Sequence, residues 1–362
     1  TPGRRLSDDV GGGGVRTLVR NNGWWMRRLA FLPVHVFLFA IAVFFVVRMI
    51  PGDPVRTISG GQTMTPEQYD AARESLGLTG SVFSQLTTFL GNILTLDFGN
   101  SIINGAGVLD EMTRRLPETL ELALMAMVVS SVLTLALGYF VVTKPRNPFS
   151  RVVAAYARAA GAVPDFCLGV AGIFLFYSVL QWSPAPIGRY DSLLNAPPRV
   201  TGLPFVDALL SSDLILMQSM VAHLWLPVAV LVIAYAPMLL KLFIRSLEQS
   251  KDAQATKFRI ASGASNTMVL LSIARRALPS TVAMFGTIFG FMLGGAVIVE
   301  QLFAMPGMGE YAVQAVTRSD FVALQGFLII VAAVSLVVFF FVDIVNMLLD
   351  PRRRPGVQAE GS

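Results

Sequence analysis

Few side chains in this sequence have both the chemistry and the setting to act on another molecule. Asp165 stands in a long apolar stretch directly after Pro164, where a carboxylate is costly unless it faces a cavity or a partner. Two readings follow: a pathway-facing group that prefers a cationic amine, or a charge paired with a basic side chain or held near an interface. Glu300 ends another apolar run and is followed by Pro306, Gly307, Met308 and Gly309, a stretch that reads as the turn of an outer gate. Gly286, Gly290, Gly294 and Gly295 recur at intervals of about one helical turn. Small residues so spaced let helices pack closely, either in a static contact within the chain or on a face that slides against a neighbour or lines a pathway. The two histidines, His35 and His223, read as packing or interfacial groups, so no metal site is expected. Gly11 to Gly14 lack the Lys-Ser/Thr ending of a phosphate loop, and there is no H-E-x-x-H. Neither an enzyme nor a directly bound cofactor is expected.

A different chemistry is offered by the charged, helix-prone segment from Lys241 to Arg276, set between two apolar runs. So polar a segment kept on one side of a bilayer reads as a docking handle. Ala253, Ala255, Ala261 and Gly263 allow a facing surface to come close, and Gly263 suits a helix end. Lys251, Asp252, Lys257 and Arg259 form a polar rim around such a contact. The bland reading is an amphipathic loop lying on anionic headgroups.

The elements that position these groups follow from composition. With 54% hydrophobic and 14% charged residues and a mean hydropathy of +0.63, the chain is an integral membrane protein. A span needs about 20 apolar residues, and six segments qualify: 29–50, 116–142, 152–180, 224–243, 280–303 and 326–349. Backbone groups in lipid must be satisfied within the segment, so each is read as a helix and the fold class is all-α. Lys and Arg crowd before the first span, between the second and third, between the fourth and fifth, and after the sixth. That bias puts both termini in the cytoplasm. It also accounts for most of the net charge of +5, so no nucleic-acid partner is expected. A lone cysteine, Cys167, excludes an intramolecular disulfide. Residues 1–23 read as a disordered tail and 355–362 as a second tail. A small extracytoplasmic cap is expected within 51–115, with Thr65 as N-cap ahead of Pro66, Glu67 and Gln68 and an amphipathic patch from Phe83 to Leu94. The Pro-rich stretch 181–222 reads as an ordered loop.

Several motifs then occur in a telling order: RMIPGDP (48–54), LGL (76–78), LDFGNS (96–101), RRLPETLELAL (114–124), VPDFCLG (163–169), HLWLP (223–227), GFMLGGAVIVEQLFAMPGMGE (290–310) and DIVNMLLDPRRR (343–354). From about Trp24 to Arg354 the chain resembles the permease subunits of dipeptide and oligopeptide ABC importers, the permease B family. The resemblance implies a transmembrane domain over 24–354 in the bacterial cytoplasmic (inner) membrane, forming half of an alternating-access pathway in contact with membrane lipid. It implies a homologous second permease, an extracytoplasmic substrate-binding protein, and two ATPase subunits or one fused pair that bind Mg-ATP. The absence of a G-x-x-x-x-G-K-[ST] sequence agrees with energy supplied by a partner. Within the loop 244–279 it assigns ATPase coupling to a short helix bearing Ala253, Ala255, Lys257, Phe258, Arg259, Ala261 and Gly263. Lys257, Phe258 and Arg259 replace the acidic residue and paired alanines usual in the family, which points to a matched ATPase partner. Short peptides are the implied substrate, although nickel chelates, glutathione and haem use the same architecture. An ion-gradient-driven secondary transporter is the alternative class, disfavoured by the scarcity of intramembrane charge.

Overall fold

A computed structural model describes residues 13–50, 53, 55, 64–75, 77–159 and 161–349, with side chains from residue 29 onward. Pro51, Gly52 and Pro54 of the first motif, residues 1–12 of the expected tail, Arg352 to Arg354 and the tail 355–362 lie outside the described residues. In order the helices are α1 (Gly13–Arg48), α2 (Pro66–Ser75), α3 (Val82–Leu94), α4 (Val108–Thr143), α5 (Pro148–Arg158), α6 (Asp165–Gly172), α7 (Pro204–Leu210), α8 (Leu214–Asp252), α9 (Gln254–Ala261), α10 (Asn266–Leu302), α11 (Met308–Thr317) and α12 (Phe321–Leu349). A π-helical stretch, Ile173–Val179, continues α6. The one β contact among the described residues is an isolated bridge between Asn100 and Gly107.

Among the described residues, five helices are long and apolar enough to cross a membrane: α1 from Leu29, α4, α8, α10 and α12. The third expected span, 152–180, is not one helix. It divides into α5 and α6, separated by residues 159–164. Gly161 has φ +74°, and Pro164, at φ −60° and ψ 145°, caps α6 in extended backbone. A proline disfavours helical geometry in the residue before it, here Val163. The apolar run is real and its continuity is not. A second correction concerns the N-terminus, where α1 already begins at Gly13 inside the tail expected to be disordered. No proline interrupts the stretch before Pro33, and extending a formed helix costs far less than starting one.

The core is built on α8 and α10. Leu231 and Leu239 of α8, Ile288, Met292, Ala296 and Val299 of α10, and Leu122 and Ala126 of α4 are fully buried together. A second cluster joins Val43 and Val47 of α1 to Ala323 and Ile329 of α12, with Met112 of α4 and Met308 and Ala315 of α11. Close approach of α4 to α8 depends on Gly138, where a Cβ would lie 2.5 Å from Cδ1 of Phe243.

The chain reverses at two ends, called here the cap end and the basic end. At the cap end, Thr65 and Gln68 form a reciprocal capping box: Gln68 N donates to Thr65 Oγ1 at 3.3 Å and Thr65 N to Gln68 Oε1 at 3.0 Å. Helix α3 begins at Ser81, whose hydroxyl accepts from Ser84 N at 3.2 Å, and it packs Phe89, Leu90 and Ile93 inward. The turn after it is tied down by Ser101, which donates to Asp320 Oδ2 at 2.6 Å. Asp320 in turn caps α12 by accepting from Ala323 N at 3.0 Å.

Replacing Gly138 by Ala should press α4 against Phe243 and cost about 1–3 kcal/mol. The expected result is a lower unfolding temperature of the detergent-solubilised protein, partly recovered when Phe243→Leu is added.

Candidate functional site

At the basic end α8 stops at Asp252 because Ala253 is extended (φ −63°, ψ 144°), and α9 starts immediately after it. Its far end is a Schellman closure. Gly263, at φ +77°, donates to Ile260 O at 3.0 Å while Ala264 N donates to Arg259 O at 3.1 Å. A side chain at Gly263 has room but would be held in left-handed backbone. Thr256 is the buried residue of α9. Its hydroxyl donates to Ser250 O of α8 at 2.6 Å and accepts from the Arg276 guanidinium of α10, which also donates to Ser250 O at 3.3 Å. Helix α9 is therefore clamped to both neighbours. Below it α8 and α10 are joined by Ser246 Oγ and Ser280 Oγ at 2.8 Å and by packing of Phe243, Leu247, Val269, Ile273 and Ala277.

Of the sequence-predicted residues here, Ala255, Lys257, Phe258, Arg259, Ala261 and Gly263 are exposed and Ala253 is half-buried. Phe258, between Lys257 and Arg259, is 73% exposed, and Ile260 60%. Thr256 and Arg276 were not singled out from sequence, because a threonine among alanines and one arginine of a pair carry no sign of their contact. Ile260 carries no signal in the sequence, since one isoleucine in a mixed segment reads equally as a buried or an exposed position.

At the cap end Glu300 is fully buried. Its Oε1 accepts from Thr119 Oγ1 of α4 at 2.7 Å, its Oε2 accepts from Gly309 N at 2.8 Å, and Thr119 Oγ1 also accepts from Met308 N at 2.9 Å. Gly307 is extended (φ −172°), so its conformation suits any residue; its role is space. A Cβ there would overlap the Glu300 carboxyl, and one at Gly309 would lie 2.5 Å from Val297 O. Arg115 completes the lock by pairing with Glu310 at 3.1 Å and Glu111 at 3.1 Å. The expected turn is thus assembled around Glu300, Gly307 and Gly309, with Pro306 exposed on its surface.

Beside it lies a network that sequence reading missed. Arg189, from the loop after the π-helical stretch, is 3% exposed and pairs with Glu121 at 3.2 Å and Glu118 at 3.6 Å. Glu121 Oε1 also accepts from Phe205 N at 2.7 Å and Val206 N at 3.3 Å, the first amides of α7. Burial opposes the charge of Asp207. Donors from the amides of Thr201, Gly202 and Val200 and the Thr201 hydroxyl outweigh it and hold the carboxyl below the usual aspartate range. The available signal was Glu118 and Glu121, two carboxylates one turn apart in an apolar run that needed a cation.

Between the two ends, Asp165 Oδ2 accepts from Tyr235 Oη of α8 at 2.8 Å, and its Oδ1 accepts from Phe166 N at 2.8 Å. Its partner is a hydroxyl rather than the basic group allowed for in one sequence reading. Gly295 lies against this pair, so that a Cβ there would be 2.6 Å from Tyr235 Oη and 2.8 Å from Asp165 Oδ2. The expected common glycine face is corrected by the same geometry. Gly286 packs on Phe339 of α12, where a Cβ would meet Cδ1 at 2.5 Å, and Gly290 points toward the same ring at 4.0 Å. Gly294 is exposed with open space beside it. Steps of four residues drift by about 40° each on a helix, so the row turns from an intrachain contact to a free surface. Arg189→Met should leave Glu118 and Glu121 buried without their shared cation, a loss of about 3–5 kcal/mol. The readout is the unfolding temperature of the purified protein, with partial recovery on adding Glu121→Gln.

A family model described as the binding-protein-dependent transport system inner membrane component matches residues 130–355, and the N-terminal model of such membrane components matches residues 23–123. The chain is 32% identical over 329 residues to the di/tripeptide transport system permease protein DppB of Pseudomonas aeruginosa, covering 91% of this chain and 97% of that protein. It is 26% identical over 328 residues to the dipeptide transport system permease protein DppB of Alkalihalophilus pseudofirmus, covering 90% and 98%. With long apolar helices, a short helix clamped between α8 and α10, and matches along nearly its whole length, the chain belongs to the binding-protein-dependent transport system inner membrane component family and is an ABC importer permease.

Proposed function

We propose that this permease forms half of an alternating-access pathway for short peptides in a bacterial cytoplasmic membrane. A homologous second permease forms the other half, an extracytoplasmic binding protein delivers substrate at the cap end, and two ATPase subunits, or one fused pair, supply Mg-ATP hydrolysis at the basic end. Both termini lie on the ATPase side, in keeping with the positive-inside bias. The peptide assignment is supported by the two relatives, a di/tripeptide and a dipeptide transport system permease protein. Nickel chelates, glutathione and haem remain the substrates that would replace it if the cognate binding protein carried one of them.

The observation that carries the coupling role is the clamped α9 with Phe258 and Ile260 at its exposed tip. An apolar side chain this exposed at the aqueous end of a membrane protein gains by burial in a partner, about 1.5–3 kcal/mol for a Phe. Lys257 and Arg259 on either side supply orientation and partner choice. A push on α9 passes through Thr256 and Arg276 into α8 and α10 together. A secondary transporter shares one feature with this chain, a discontinuous helix, but the family and the clamped docking helix favour the ABC assignment. Uptake that tracked an ion gradient without ATP would reverse it.

Phe258→Ala should weaken co-purification of the ATPase by about 10–100-fold, as loss of a central aromatic contact does. Arg259→Glu should leave ATP hydrolysis running while peptide uptake falls about ten-fold or more, the signature of lost register. Unchanged co-purification and unchanged uptake in these two variants would remove α9 from the contact.

A further inference from the structure

The break between α5 and α6 lies at mid-depth in the bundle. Helix α5 rises along the basic half of α8, with Tyr156 Oη donating to Val232 O at 3.4 Å and Ile233 O at 3.1 Å. Helix α6 continues along the cap half, with Gly169 against Val230 and Gly172 against Leu226. At 1.5 Å per residue, Tyr235 falls within about 3 Å of the centre of the apolar run 224–243, and Gly295 within about 5 Å of the centre of 280–303. The pair they flank, Asp165 with Tyr235, is therefore near the middle of the hydrocarbon.

Irregular backbone is tolerated at that depth only where protein covers it or water reaches it. Here it is uncovered within the chain: Gly161, Ala162, Val163, Pro164, Phe166 and Cys167 are all exposed. The amides of Asp165 and Cys167 have no acceptor among the described residues. Asp165 itself is half-buried, and among the described residues no Lys, Arg or His comes within ion-pair distance of it. Tyr235 and the Phe166 amide each occupy one carboxylate oxygen, and every oxygen keeps a lone pair for a further donor. A carboxylate at the membrane centre that has hydrogen-bond donors but no cation has a vacancy for positive charge.

We infer that residues 161–167, the described part of the break and the first turn of α6, line the water-filled pathway and that Asp165, oriented by Tyr235, binds the free α-ammonium group of the passing peptide. The peptide part rests on the function proposed above. Gly295 places the backbone of α10 against this carboxylate–phenol pair, so the helix that Arg276 ties to α9 also touches the substrate contact. Tyr235 is a positioning residue, because it holds one carboxylate oxygen and leaves the ammonium to Asp165.

The lone cysteine supplies the probe. In the complete transporter with its binding protein, in membrane vesicles, Cys167 should react with a charged, membrane-impermeant methanethiosulfonate, at a rate that changes with ATP. Alanyl-alanine should slow the reaction at a concentration about ten-fold lower than N-acetyl-alanyl-alanine does, the preference expected of one charge-assisted hydrogen bond. Asp165→Asn should abolish that preference and Asp165→Glu should keep it. If Cys167 stays unmodified in every nucleotide state yet reacts after denaturation, the break is covered by the second permease and the pathway inference falls; continued alanyl-alanine uptake would still uphold the peptide function. If Cys167 is labelled but neither peptide protects it, the peptide function and the ammonium contact both fail while the water-lined break stands. Equal protection by the two peptides, or a preference that survives Asp165→Asn, overturns the ammonium contact alone.

Discussion

Hydrocarbon offers no partner for a peptide N–H or C=O, and most of this molecule is arranged around that fact. The long segments α4, α8, α10 and α12 satisfy their backbones internally. Irregular chain is pushed to the two ends, where capping residues such as Thr65, Ser81 and Asp213 close the helices. Once helices are obligatory, their separation is set by side-chain volume at the crossings. That is why Gly138 meets Phe243, Gly286 meets Phe339 and Gly295 meets Tyr235 with no room for another carbon. Among the described residues, the break ahead of α6 departs from this rule, and it falls beside the half-buried carboxylate of Asp165.

The polar groups at the two ends have different work. At the cap end Glu300, Glu118, Glu121 and Arg189 are removed from water and paired across α4, α10 and the 181–213 loop. The buried ion pairs of Arg189 are costly to half-remove and fix the loop to α4, while the hydrogen bonds of Glu300 and Thr119 fix the Met308 to Glu310 turn to the bundle. At the basic end the cations of α9 stay exposed, and only Thr256 and Arg276 are drawn inward. The first arrangement gives rigidity. The second leaves the apolar and cationic side chains of α9 exposed.

What the sequence made legible was local. The capping box at Thr65 and Gln68 needs four consecutive residues, the amphipathic stretch 83–94 needs a few turns, and the apolar runs are found by counting; α2, α3 and the long helices emerge where these patterns place them. Continuity was less legible. An apolar count treats 152–180 as one object, although Gly161 and Pro164 within it prescribe left-handed and extended backbone. Long-range pairing was not legible at all: Arg189 meets Glu121 across 68 positions and Arg276 meets Thr256 across 20, and nothing in either neighbourhood names the partner. The glycine row failed for a geometric reason, since four-residue spacing does not hold one face of a 3.6-residue helix.

Helix α10 carries one contact of each kind along its length. Near its start Arg276 grips α9, past its middle Gly295 lies on Asp165 and Tyr235, and at its end Glu300 holds Thr119 and the amide of Gly309. The helix of 37 residues is about 55 Å long at 1.5 Å per residue, and Pro279, between Arg276 and Gly295, leaves one carbonyl of its backbone ladder without a donor. Its cap end is fixed by a buried carboxylate and its basic end is joined to the exposed helix α9. In the coupling proposed above, a force at α9 reaches α10 through Arg276, while Glu300 holds the far end in place. With no Cβ at Gly295 to cushion the contact, even a small shift there changes the distance between the α10 backbone and the Asp165 carboxylate. In the proposed coupling, the same glycine that permits the close packing is the point at which a shift of α10 would reach the Asp165 carboxylate.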